Sequence, residues 1–292
     1  MPFPAAYQPE AVAVLSARLI VWKEPATWFQ SLALWLEPRM VIDGRSRLAA
    51  LGEQNLCWDD SEWLDVLDEV LLQDHEALVE PLAEALADVS VRAYHGCRVP
   101  DAGAYARDGL KLNQPAAMHA QVRQIVAEAD DLAGLRPSLE RRLAEFACDD
   151  RDTAWLHVGL DDRVQLDHAG HYMLYGSEWL MAFLGEAGHA TLRGLGVATM
   201  LEIDLPLDWT SSGTRGELAQ ALLQQWTRVA VNAPDWSPQI DFTFSLRHDL
   251  PAHCIVGHYH PEVLVDNHHG FIRRRQLATT CPACGAASGA AT

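Results

Sequence analysis

Apolar residues recur at close to helical spacing through the first 90 residues. Ala11–Val21 is apolar and free of Gly and Pro, which predicts a helix. Pro25–Pro38 carries Trp28, Phe29, Leu32, Leu34 and Trp35 on a similar stripe. Ser61–Asp88 sets Leu64, Leu67, Val70, Leu71, Leu78, Leu82 and Leu86 among acids, with Ser61 as the expected N-cap. These stripes read as an ordinary helical core, with the Trp residues filling it.

From Val89 the pattern shortens. Val89–Tyr94 reads as a strand that ends at His95-Gly96. Ala102–Asp108 reads as a helix stopped by Gly109, and Ala116–Phe146 as a charged, amphipathic helical insertion. Thr153–Val158 predicts another strand. Tyr172–Tyr175 precedes a helix that opens near Ser177 and has Trp179, Leu180, Phe183 and Leu184 as its apolar face. Thr199–Leu205 alternates like a strand and stops at Pro206, Arg215–Val231 is helical, and Ile240–Leu246 and Cys254–Val256 read as the last strands. The Ala/Gly/Ser/Thr-rich tail after Leu277 is expected to be loose. No internal repeat is visible.

Composition adds exclusions. The 292 residues carry 22 Lys+Arg against 40 Asp+Glu, a formal net charge of -18. That balance disfavours a protein that holds nucleic acid by bulk charge, because neutralising phosphates needs a basic surface. No apolar run reaches the roughly 18–20 residues that span a bilayer, so no membrane role is expected. Met1-Pro2-Phe3-Pro4 lacks the basic start and apolar core of a secretory signal. Six Cys at irregular positions do not form a disulfide framework, and a cytoplasmic location is expected.

The candidate chemistry lies in Tyr94-His95-Gly96-Cys97-Arg98-Val99 followed by Arg107-Asp108-Gly109-Leu110. A strand ending in aromatic-His-Gly, a polar turn, a helix and then Gly-Leu resembles the first nicotinamide-binding motif of ADP-ribosyltransferases of the diphtheria-toxin and poly(ADP-ribose) polymerase type. The resemblance covers about Val89–Glu262. It implies that NAD is the co-substrate, that the Gly96 backbone pairs with the nicotinamide carboxamide, that His95 bonds a ribose hydroxyl and that Arg98 adjoins the dinucleotide. A backbone without a Cβ suits so close an approach. The second motif is matched by Gly170-His171-Tyr172-Met173-Leu174-Tyr175-Gly176-Ser177-Glu178. By resemblance Tyr172 is the motif's strand Tyr, stacked on nicotinamide, Tyr175 is a second face and Ser177 orients the carboxamide. A planar cation prefers a π face.

The third motif departs from the family. Its usual Glu, which bonds the nicotinamide ribose and stabilises an oxocarbenium-like transition state, is missing from Pro238-Gln239-Ile240-Asp241-Phe242-Thr243. Asp241 or Gln239, two apart on one strand face, is the nearest polar candidate. Glu217 on the preceding helix ranks below them. Relatives without the Glu tend to be mono-ADP-ribosyltransferases or inactive. The expected fold is therefore α+β: a split antiparallel β core of ADP-ribosyltransferase type over residues 89–275, an added N-terminal helical domain over 1–88 and a flexible tail over 276–292. The implied reaction moves ADP-ribose from NAD to a macromolecular acceptor, protein or nucleic acid. Arg92, Arg98, Arg107 and Lys111 could supply a basic cleft for the latter. By family analogy such a chain is a bacterial toxin, effector or phage-defence component, with an antitoxin or inhibitor protein as partner. An RNA 2′-phosphotransferase of the same fold, or an inactive NAD-fold binding module, is the alternative. Cys281-Pro282-Ala283-Cys284 is half of a zinc ribbon. A structural zinc takes four ligands. With no second Cys-x-x-Cys, and only His268 and His269 near in sequence, no zinc is expected at Cys281 and Cys284 and no metal ligand is assigned. His248, His253, His258 and His260 read as surface or structural residues. A Cys97 nucleophile lacks a His–Asp pair to activate it.

Overall fold

The structure, a computed structural model, describes residues 15–146 and 154–287. In chain order its elements are β1 (Leu19–Ile20), α1 (Phe29–Leu36), α2 (Gly44–Ala50), α3 (Glu62–Asp68), α4 (Glu76–Leu86), β2 (Ser90–Val99), α5 (Gly103–Asp108), α6 (Pro115–Glu128) and α7 (Leu139–Phe146). There follow β3 (Leu156–Gly159), α8 (Asp162–Asp167), α9 (His171–Tyr175), α10 (Glu178–Gly194), β4 (Val197–Pro206), α11 (Ser212–Asn232), β5 (Thr243–Leu246), β6 (Ile255–Tyr259), β7 (Val263–Asp266), β8 (Ile272–Arg275) and α12 (Pro282–Ala287). The class is α+β, with a largely antiparallel sheet.

The described residues form two compact units, and the division is not a single cut near residue 88. One unit holds the residues up to Val91 together with Leu205–Pro238, and the other holds Arg92–Asp204 and the chain from Gln239. The first is helical. α11 packs on α2, α3 and α4, so the N-terminal helices are completed by a segment that arrives much later in the chain. Ser211 opens α11 by accepting the Thr214 N–H at 3.0 Å. Trp22, Trp28, Trp35 and Trp63 are fully buried in this unit, as expected of a helical core, and Trp226 of α11 is buried with them. Phe29 stacks on Trp226 at 5.6 Å, and the Trp22 indole N–H donates to the Pro238 carbonyl at 3.0 Å.

Three local expectations change here. The part of Ala11–Val21 before Leu15 lies outside the described residues, and Leu19–Ile20 pairs in parallel with Ser90–Val91 as a strand rather than a helix. A β-branched neighbour pair, Ile20-Val21, suits that extended conformation. The Ser61–Asp88 block splits into α3 and α4, because Asp68 takes both the backbone N–H and the ring Nδ1 of His75, at 2.6 and 2.7 Å, and turns the chain. Ser61 sits at the N-cap, but its side chain makes no cap bond; Asp60 accepts the Glu62 N–H instead, at 3.0 Å.

The second unit holds most of a sheet in the order β5-β3-β2-β4-β6, with β7-β8 as a separate hairpin. β3 and β5 are paired throughout, from Leu156↔Leu246 to Gly159↔Thr243. β2 and β3 share one pair, Tyr94↔Gly159. The segment read as a strand from Ile240 forms one only from Thr243, since the Ile240 N–H goes to the Asp161 carboxylate at 3.3 Å. The expected Tyr172 strand is the short helix α9. The Ala116–Phe146 insertion is three pieces, α6, a 3-10 stretch (Asp130–Ser138) and α7. Its Met118, Val122, Ile125, Val126 and Leu143 share one core with Trp179, Phe183 and Leu184 of α10. Among the described residues no helix is long and apolar enough to cross a membrane.

Candidate functional site

The short β2–β3 pairing creates the site. Past Tyr94↔Gly159 the β2 edge is met by a side chain: the Gly96 N–H donates to Gln165 Oε1 at 2.8 Å, and Gln165 Nε2 donates to the Tyr94 carbonyl at 3.1 Å. A primary amide is the group that answers one N–H and one C=O on a strand edge at once. The space for it is made by two glycines. A Cβ on Gly96 would lie 2.7 Å from Gln165 Oε1, and one on Gly159 would lie 2.9 Å from Gln165 Nε2. Gln165 comes from α8, whose N-cap Asp161 accepts the Arg163 N–H at 3.0 Å and is clamped by the Arg163 guanidinium at 2.6 Å. Neither Gln165 nor Gly159 was marked by the sequence, because a lone Gln in a helix and a Gly at a strand end carry no signature.

This notch opens into a cavity of about 1040 Å³. Its walls include His95, Gly96 and Arg98 of β2, Trp155 and His157 beside and on β3, Tyr172 of α9, Ser177 and Glu178 at the start of α10, and Asp241. Gln114, just before the helical insertion, and Met118 and Gln121 within it also line it. The insertion therefore builds a wall of the cavity, a role that its charge pattern did not indicate.

His95 sits at the mouth of the notch. Its Nδ1 lies 2.9 Å from the His157 carbonyl, which can only accept, so Nδ1 carries the proton and Nε2 keeps its lone pair. Burial lowers the ring's pKa below its usual 6.5, only partly offset by that backbone bond, so the neutral form dominates near neutral pH. Tyr172 donates its hydroxyl to Glu178 Oε1 at 3.0 Å, and its ring lies against His171, centroids 4.1 Å apart. His171 Nε2 is 3.3 Å from the same Glu178 oxygen. Glu178 is thus a cavity carboxylate that sequence reasoning missed; the only signal was its place one residue after the helix-opening Ser177. Ser177 Oγ accepts the Leu180 N–H at 3.2 Å as N-cap, and that bond does not use its hydroxyl proton.

Several expected members of the site are elsewhere. Tyr175 is buried away from the cavity, with its hydroxyl on Asp266 and its ring against His189, so it offers no second stacking face. Residues three apart on a helix lie near one face, so the parting of Tyr175 from Tyr172 comes from its partners, the Asp266 carboxylate and the His189 ring. Arg98 borders the cavity, yet its donors end on the carbonyls of Leu195, Met173, Arg193 and Gly196 and on Gln276. Burial and Arg193 push its pKa down to about 10. It ties backbone segments together rather than facing a phosphate. Gln239 donates to Asp167 at 2.9 Å and does not line the cavity, whereas Asp241 does, from an irregular segment rather than the strand face. Glu217 lies on α11, in the other unit. The Cys97 thiol is pushed up to about 12 by burial, which rules out a ready thiolate nucleophile.

The four residues that could supply a basic cleft all have partners. Arg92 pairs with Asp204 at 2.7 Å, Arg107 with Asp101 at 3.7 Å and Lys111 with Asp249 at 3.4 Å, while Arg98 is spent on carbonyls. His268 and His269 pack by His171, Tyr175 and His189, not by the cysteines. His258 and His260 approach Cys281 and Cys284 instead, and one ligand atom of each lies within 4.8 Å of the others. Compared with known proteins, the chain matches no protein-family model, no curated protein and no solved structure.

Proposed function

We propose that the second unit is a mono-ADP-ribosyltransferase that takes NAD as co-substrate, moves ADP-ribose to an acceptor and releases nicotinamide. The observation that carries this reading is the amide notch. The strand edge at Tyr94 and Gly96 already holds a carboxamide, that of Gln165, in a gap that two glycines keep open. The nicotinamide carboxamide has the same donor and acceptor and would replace it. Ser177 would add a hydroxyl donor to the carboxamide oxygen. Tyr172, held by Glu178, would present a ring to the pyridinium.

In this reading His95 Nε2 accepts a ribose hydroxyl. As the bond between ribose C1′ and the nicotinamide nitrogen breaks, its electron pair leaves with nicotinamide and positive charge spreads over the ribose. Asp241 is the exposed cavity carboxylate that would face that charge. The acceptor then attacks C1′ from the opposite face and gives up its proton to solvent. The paired state of Arg92, Arg107 and Lys111 favours a protein acceptor over nucleic acid. It equally weakens a 2′-phosphotransferase reading, which wants a free guanidinium where Arg98 is occupied.

The test is nicotinamide release from NAD by the purified chain, read by chromatography. His95→Ala and Asp241→Asn are each expected to slow it by about 100-fold or more. Wild-type turnover that both substitutions leave unchanged would overturn the assignment. No turnover, with nicotinamide still raising the unfolding temperature, would make the unit a binding module.

A further inference from the structure

Four side chains of the second unit that do not line the cavity, and that the proposed reaction does not use, converge. Cys281 Sγ and Cys284 Sγ are 3.9 Å apart, and His258 Nε2 lies 3.8 Å from the first and 3.5 Å from the second. One ligand atom from each of His258, His260, Cys281 and Cys284 lies within 4.8 Å of all the others. From these distances we propose that the chain binds one structural Zn²⁺ through Cys281, Cys284, His258 and His260.

Coordination geometry supports the choice. A tetrahedral zinc with Zn–S of about 2.3 Å and Zn–N of about 2.0–2.1 Å places its sulfurs about 3.8 Å apart and each sulfur about 3.5 Å from a ring nitrogen. The separations among Cys281, Cys284 and His258, 3.5–3.9 Å, lie close to these values, and His260 stands within 4.8 Å of all three. The second observation is the state of His260. Its Nδ1 faces the Ala198 carbonyl at 2.9 Å, so that nitrogen carries the proton and Nε2 holds the lone pair. His260 Nε2 is buried and has no hydrogen-bond partner. An imidazole fixed by a backbone carbonyl on one nitrogen, with a sealed lone pair on the other, is the arrangement of a metal-ligating His. A buried, unanswered acceptor is otherwise costly.

The surroundings explain what the ion would do. α12 has six residues, and the packing around Cys281 is a small group: Ala102 and Val197, with Val99, Ala283 and Cys284. That much apolar contact is little to hold a terminal turn against its conformational entropy. Zinc would staple α12 to the end of β6. Both thiols lose their protons to solvent on binding, and no oxidation state changes. Two thiolates and two neutral rings balance the charge of the ion, and Asp101, 4.0 Å from Cys281 Sγ, adds a nearby negative charge.

The experiment is metal analysis of the full chain, expressed with zinc and freed of loosely bound ions by gel filtration. About one zinc per chain is expected. The double variant Cys281→Ser/Cys284→Ser and the single variant His260→Ala should lose it, and His253→Ala, altered at an exposed His of the same region, should keep it. Replacing zinc by Co²⁺ in wild type should give tetrahedral d–d bands and a thiolate-to-cobalt charge-transfer band, a readout that does not depend on how the variants fold. Metal-free wild-type protein, zinc retained by the double variant, or a Cys281–Cys284 disulfide that forms in its place would overturn the proposal.

Discussion

The second unit holds two polar clusters whose buried groups are answered in different ways. At the notch the strand edge is answered from within: the Gln165 amide bonds the Gly96 N–H at 2.8 Å and the Tyr94 carbonyl at 3.1 Å. At the Cys/His cluster the His260 Nε2 lone pair is sealed without a partner, and two thiols stand 3.9 Å apart. A group answered by a movable side chain can exchange that side chain for a ligand and take it back, which suits a substrate that comes and goes. A group with nothing to fall back on suits a ligand that stays. On the two proposals, the contrast separates a transient site from a permanent one.

The comparison can be broken at either end. The largest effect is expected from removing the permanent ligand. Chelation of the purified chain should lower its unfolding temperature by at least ~5 °C, since structural zinc contributes folding free energy directly. A melting curve indifferent to chelator would mean that the orphaned nitrogen is tolerated. Next comes Gln165→Ala. It removes the internal competitor, so nicotinamide should bind about tenfold more tightly while the ligand-free protein loses about 1–2 kcal/mol, the cost of leaving strand groups unpaired. Calorimetry on the two proteins reads both changes, and weaker nicotinamide binding would show that Gln165 builds the site instead of holding its place.

Gly96→Ala sharpens the same point. Its Cβ would fall 2.7 Å from Gln165 Oε1 and 3.1 Å from Met173 Cγ, so it should expel the Gln165 amide and exclude nicotinamide as well, in the presence or absence of Gln165. Tight nicotinamide binding by the Gly96→Ala/Gln165→Ala double variant would place the carboxamide elsewhere. The smallest effect is a pH dependence. Burial lowers the pKa of His95 and His171 from the usual 6.5. The unfolded chain therefore binds protons that the folded chain refuses, and their contribution to stability is complete above pH 6.5 and falls as pH drops towards their folded values. Unfolding temperatures measured downward from neutral pH should decline, and His95→Asn should flatten part of that slope.

Local structure was legible where periodicity or a cap residue determined it. β4, α11 and the Gly109 stop of α5 follow their patterns, and Gly109 adopts φ +74 against the Leu250 backbone. His95, Gly96, Tyr172, Ser177 and Asp241 do line one cavity. Tyr175, Arg98 and Gln239 do not serve it, for reasons that sequence spacing does not carry: Asp266 takes the Tyr175 hydroxyl, carbonyls from α9 and from the α10–β4 turn capture a guanidinium, and Asp167 captures an amide.

What the sequence by itself determined about this protein is its alternation of helices and short strands, its tryptophan core and the residue types gathered near β2. Those follow from interactions between positions a few residues apart, which periodicity records. Only the tertiary structure decided that Gln165 would reach Gly96, that α11 would complete the N-terminal helices, and that Cys281 would meet His258. Each of these joins residues far apart in the chain, through single side chains whose type carries no mark of the distant group that they satisfy.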